Sequence, residues 1–131
     1  MKRSLYSLIL IFALSTFSGK AQNNPAPWPE LKAFHNYMAA TFHPSEEGNF
    51  KPLKQHSDSL LITAKLWQAS AIPADYKPEL TRTTLKQLVK LCSEINEGVK
   101  ANLADAKLKA MITNAHNTFH TIVEKCRTPE K

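Results

Sequence analysis

The sequence predicts an all-α protein, an antiparallel up-down-up-down four-helix bundle that follows a cleaved signal peptide. Three observations carry this. Apolar residues recur at intervals of three and four in four separate stretches, prolines punctuate the chain where those stretches begin or stop, and no segment sustains period-2 alternation. Four amphipathic stripes joined by short loops pack antiparallel to their neighbours and bury a sufficient core for a domain of this size.

The first element is the export segment. Lys2 and Arg3 precede an apolar run from Leu5 to Phe17, and Ser18-Gly19-Lys20-Ala21 supplies the small residues of a cleavage site, placed after Ala21. The run is shorter than the roughly 20 residues that span a bilayer. Residues 1–21 are therefore read as signal peptide and 22–131 as the bundle domain, expected in the periplasm or outside the cell. Cleavage removes Lys2, Arg3 and Lys20, so the formal charge of +6 falls to +3. Half the apparent basicity belongs to the leader, and the chain is not expected to bind nucleic acid, nor a membrane once the leader is gone.

Residues 23–28 form a proline-punctuated entry, and Pro29 opens the first helix. Leu31, His35, Met38 and Phe42 share one face, and Pro44 disfavours helix at His43. Asn49 is the expected cap of the second helix, whose inward stripe is Leu53, Ser57, Leu60, Ala64 and Trp67, with Ile72-Pro73 as its stop. Pro78 opens the third, with Thr81, Leu85, Leu88, Cys92, Ile95 and Val99 inward and Gly98 as its C-terminal cap. Asn102 and Asp105 start the fourth, whose seam is Leu108, Met111, Ala115, Phe119, Ile122 and Cys126, widened by Ile112 and Val123; Thr128-Pro129 ends it.

Cys92 and Cys126 are the only cysteines. In an antiparallel hairpin they are offset by roughly 18 residues, or about 27 Å at 1.5 Å per residue. A disulfide needs Cα atoms within about 7 Å, so both thiols are expected free and core-facing.

The composition excludes several chemistries. Gly19, Gly48 and Gly98 lie too far apart for a phosphate-cradling loop, and CxxC, CxxCH and HExxH are absent. No Glu-x-x-His pairs occur on the helices, which sets aside ferritin-like di-iron centres. Short loops leave no place for a strained nucleophile with oxyanion donors, so no enzymatic activity is expected. Lys100, Lys107 and Lys109 read as solvated surface.

Histidines remain. His35 falls within the apolar stripe of helix one, where an imidazole needs a partner. His116 and His120 are four residues apart, share one side of helix four, and lie at the border of its seam. Two such imidazoles grip one transition metal, and a third donor from the adjacent first helix completes an affine site. His35 is the natural third ligand, with Met38 and His43 as lesser candidates and Met38 a soft ligand for Cu(I). Ligands to one ion about 2.0–2.1 Å away hold their nitrogens roughly 3–4 Å apart. Counting residues through the loops sets His35 level with Met111, and His116 some four to six residues further along the axis. His43, Glu46, Glu47 and His56 gather near the first loop, as a second metal site or a solvated turn.

Asn117-Thr118-Phe119-His120, within residues 115–127, resembles the last helix of the cytochrome b562 and cytochrome c′ group. The resemblance implies a b-type haem electron-transfer protein with His120 as one axial ligand and His35 or Met38 as the other; the absence of CxxCH means that such a haem is non-covalent. The residues by themselves favour a binding protein that holds copper or zinc through His35, His116 and His120 for buffering, sensing or transfer, with a periplasmic metal or redox protein as partner. A third reading is a ligand-free structural or partner-binding bundle.

Overall fold

A computed structural model describes residues 27–129. The expected signal peptide, its expected cleavage after Ala21 and residues 23–26 of the entry lie outside the described residues. Four helices follow in order: α1 (Pro29–Glu46), α2 (Lys51–Ala69), α3 (Pro78–Lys100) and α4 (Asp105–Lys125). Consecutive helices pack on one another and α4 returns to α1, closing the four-helix bundle. Among the described residues there is no strand, only one antiparallel bridge between Tyr76 and Arg127, and no helix is long and apolar enough to cross a membrane.

Prolines open three helices. Pro29 and Pro78 stand first in α1 and α3, and Pro52 second in α2, where the missing N–H has no intrahelical partner to lose. The α2 stripe buries Leu53, Ser57, Leu60, Ala64 and Trp67, as the spacing predicts. Cys92 and Cys126 are free and buried, and the dry surroundings push the Cys92 thiol up to about 12.

The α1 face differs from expectation. Phe34, Met38, Thr41, Phe42 and Ser45 are buried, Leu31 is half-buried, and His35 is exposed. Two faces with spacings of three and four both contain Met38 and Phe42; the one that buries a phenyl ring in place of an imidazole wins. Thr41 and Ser45 can join it because their hydroxyls donate to the carbonyls of Tyr37 (2.8 Å) and Thr41 (2.7 Å) on their own helix.

Helix ends also depart from the sequence reading. Pro44 does not stop α1 at His43; it sits in the last turn, and the end is closed when Gly48 N–H donates to Ser45 O (3.1 Å) and Asn49 N–H to Pro44 O (2.8 Å), with Gly48 at φ +85°. Asn49 is not the cap of α2; Phe50 holds that position, and Asn49 Oδ1 accepts from Lys51 N–H at 3.2 Å. α4 begins at Asp105 with Ala104 before it and no side-chain cap.

Gly98 is not the cap of α3 either. It lies inside the helix, where a Cβ would come 2.8 Å from Leu103 Cδ1. The reversal falls on Asn102, at φ +53°: its N–H donates to Val99 O (3.1 Å) and that of Leu103 to Gly98 O (3.0 Å). Asn tolerates this left-handed conformation and a β-branched residue does not. Asn102→Val is expected to lower stability by about 1–2 kcal/mol, read as a lower urea midpoint at unchanged slope, whereas Asn102→Gly should not lower it.

At the end of the bundle formed by the start of α1 and the end of α4, aromatic rings make a continuous cluster. Trp67 meets Trp28 at 5.5 Å, Phe34 at 5.4 Å and Phe119 at 6.0 Å between centroids. Trp28 Nε1–H donates to Ser70 Oγ at 2.8 Å. The segment 70–77 is pinned to the chain's exit: Lys77 N–H donates to Cys126 O (2.7 Å), Thr128 N–H to Asp75 O (2.9 Å), and Arg127 pairs with Asp75 at 3.2 Å.

Candidate functional site

Of the five histidines, His35 and His43 lie on α1, His116 and His120 on α4, and His56 on α2. Because α4 runs antiparallel to α1, Phe42 lies against His116 and His35 against Phe119. Counting through the loops sets His35 level with Met111 instead. That count treats every connection as a tight hairpin, which residues 70–77 are not.

His116 and His120 meet. Their Nε2 atoms are 3.2 Å apart, within the separation that two ligands of one ion require. Each ring has its own support. The His116 imidazole stacks flat on Phe42, centroids 3.7 Å apart and planes within 9°. His120 Nδ1 lies 3.1 Å from Glu124 Oε1, one turn further along α4. A carboxylate accepts, so this contact places the ring proton on His120 Nδ1 and makes its Nε2 an acceptor, facing His116 Nε2 until an ion takes that lone pair. Sequence reasoning misses Glu124, although its spacing from His120 repeats that from His116 to His120.

The other candidates lie elsewhere. His35 is not buried in an apolar α1 stripe, as the spacing predicts; its ring is exposed and stacks on Phe119 at 5.2 Å and 4°. Met38 is 1% exposed and belongs to the core. His43 is exposed and meets Glu46 at 3.3 Å. Glu47 is exposed, and His56 lies beside Tyr37, centroids 6.0 Å apart. Among the described residues no three His, Cys, Asp or Glu side chains converge on a point that one ion would fill. The seam therefore presents a two-nitrogen pair with an outer carboxylate, and His35 on the neighbouring Phe119.

His116 is held below the ordinary imidazole value. Burial is the largest cause, then the neighbouring charge of His120; Glu46 acts the other way, and His43 and His35 add smaller depressions. A depressed group keeps the folded state short of a proton that the unfolded chain binds. Its contribution is thus complete above about pH 6.5 and is lost as the pH falls through the folded value. In EDTA-treated protein the melting temperature should drop as the pH passes below about 6.5, and His116→Gln should flatten that part of the profile. Equal slopes in both proteins would remove His116 as its source.

No family model matches the chain, and no curated protein or solved structure does.

Proposed function

We propose that this chain is an exported helical-bundle protein that binds a transition metal, zinc or copper, at His116 and His120, and that it buffers, senses or passes the ion to a partner protein in the same compartment. The observation that carries this is the 3.2 Å approach of two Nε2 atoms whose rings are both braced from outside, one by Phe42 and one by Glu124. Holding rings in place before the ion arrives lowers the entropic cost of binding. A carboxylate behind a ligating imidazole fixes its tautomer and raises its basicity.

The haem reading has less support. A macrocycle between His120 and His35 needs a flat gap between the two imidazoles. Phe119 fills that place, 5.2 Å from the ring of His35 and 5.6 Å from that of His120. Met38, the other axial candidate, is packed in the core.

Titration of EDTA-treated protein with Zn(II) and with Cu(II) under calorimetry tests the proposal. Saturable binding, with affinity about tenfold weaker in Glu124→Ala, is the expected result. No heat with either ion, together with a Soret band in protein from a haem-replete host, would favour the cytochrome reading. Neither metal nor haem, with melting unchanged by metal, would leave a structural or partner-binding bundle.

A further inference from the structure

The shape of the histidine pair selects a coordination geometry. Two nitrogens 3.2 Å apart, each about 2.0–2.1 Å from one ion, subtend about 100° at it. A linear two-coordinate ion would hold them about 4 Å apart, twice the bond length. The pair is a bent chelate, and its bite is set by contacts on the far side of each ring: Phe42 on His116, Glu124 on His120. That angle suits tetrahedral or tetragonal coordination, the geometries of Zn(II) and Cu(II), and leaves two positions open.

Nothing among the described residues of one chain fills those positions, since no third donor converges with the pair. The open side faces outward, since the His120 side chain is 45% exposed. On α1, Ala39 is half-buried and stands four residues from His35 and four from His43. Exposed charges of both signs lie on these two helices: Glu124 beside His120, and Lys109, whose Nζ donates to the Glu46 carbonyl at 3.3 Å. Two copies of this face therefore bring charges of both signs together rather than one sign against itself.

We propose, resting on the metal reading above, that one Zn(II) or Cu(II) ion is held by His116 and His120 of two copies of the chain. A two-fold axis passes through the ion, and each bundle supplies two of its four nitrogens. Such an interface is self-complementary: the same patch serves on both sides, and a two-fold operator closes it at two copies. The ion is then both cargo and the switch between monomer and dimer. Removing it by a stronger partner separates the bundles.

The test is sedimentation of the EDTA-treated protein at about 50 µM during stepwise addition of Zn(II), with calorimetric stoichiometry measured in parallel. The expected result is a monomer in EDTA that becomes a dimer, saturating near half an equivalent of Zn(II), and reverts on adding EDTA. His120→Gln changes a part-exposed ring and leaves the core intact, and should stay monomeric at the same zinc level with unchanged helical circular dichroism. A monomer that binds one ion per chain would overturn the shared site while leaving the metal reading in place. So would a dimer that persists in EDTA, one that carries an ion per chain, or one that forms equally well in His120→Gln. Binding of neither Zn(II) nor Cu(II), the latter added in the same way, would remove both.

Discussion

Replacing His116 or His120 with Ala should weaken binding of Zn(II) or Cu(II) at least tenfold each, and the double variant should bind no better than a scrambled surface. Each lost nitrogen removes a ligand bond worth more than ~1.4 kcal/mol net of water replacement, which is a factor of ten in affinity. The converse is as specific. His35 is held on Phe119 at 5.2 Å with nearly parallel planes, and its ring does not join the pair. His35→Ala should change the affinity less than about threefold, and so should His43→Ala, whose ring is exposed beside Glu46. Competition titrations against a chromogenic chelator read all five variants on one scale. A tenfold loss in His35→Ala would mean that α1 swings its imidazole onto the ion, the three-ligand arrangement expected from the sequence.

The largest expected effect on stability lies at Trp67. Its side chain is fully buried and touches Trp28, Phe34 and Phe119. Truncation to Ala removes those contacts and leaves a cavity bounded by α1, α2 and α4, at a cost of about 3–5 kcal/mol. Against a typical total of roughly 5–15 kcal/mol, that leaves a protein near its unfolding threshold. One feature tempers the figure. Trp67 Nε1–H is buried with no acceptor among the described residues, and an unmet donor costs about 1–3 kcal/mol. Trp67→Phe removes that donor while retaining a ring, so it should cost under about 1.5 kcal/mol. Urea unfolding followed by circular dichroism separates the two. If Phe proves as damaging as Ala, the indole nitrogen has a partner and its loss, not the cavity, sets the cost.

Much of the fold is legible in the residues because helical periodicity is local. The α2 stripe is complete from spacing alone, and the prolines at 29, 52 and 78 mark three helix starts. The α1 face is misread because two overlapping series share Met38 and Phe42, and choosing between Phe34 and His35 depends on which the other helices cover. The ends mislead for a related reason. Gly98 has the composition of a cap, but its missing Cβ makes room for Leu103, while Asn102 takes the left-handed turn. Within the candidate site, the His116–His120 contact is written in the sequence as an interval of four. Glu124 continues that interval, a signal that would have found it. The stack of His116 on Phe42 is out of reach, since cross-helix register depends on how residues 70–77 fold back on the chain's exit.

If one ion sits on both Nε2 atoms, crystals grown with zinc will show it most directly, through anomalous differences collected on either side of the zinc absorption edge. The expected result is a peak about 2.0–2.1 Å from His116 Nε2 and from His120 Nε2, with Glu124 still bonded to His120 Nδ1. A peak on His43 and Glu46 alone, or a zinc-soaked crystal with no peak near α4, would contradict it.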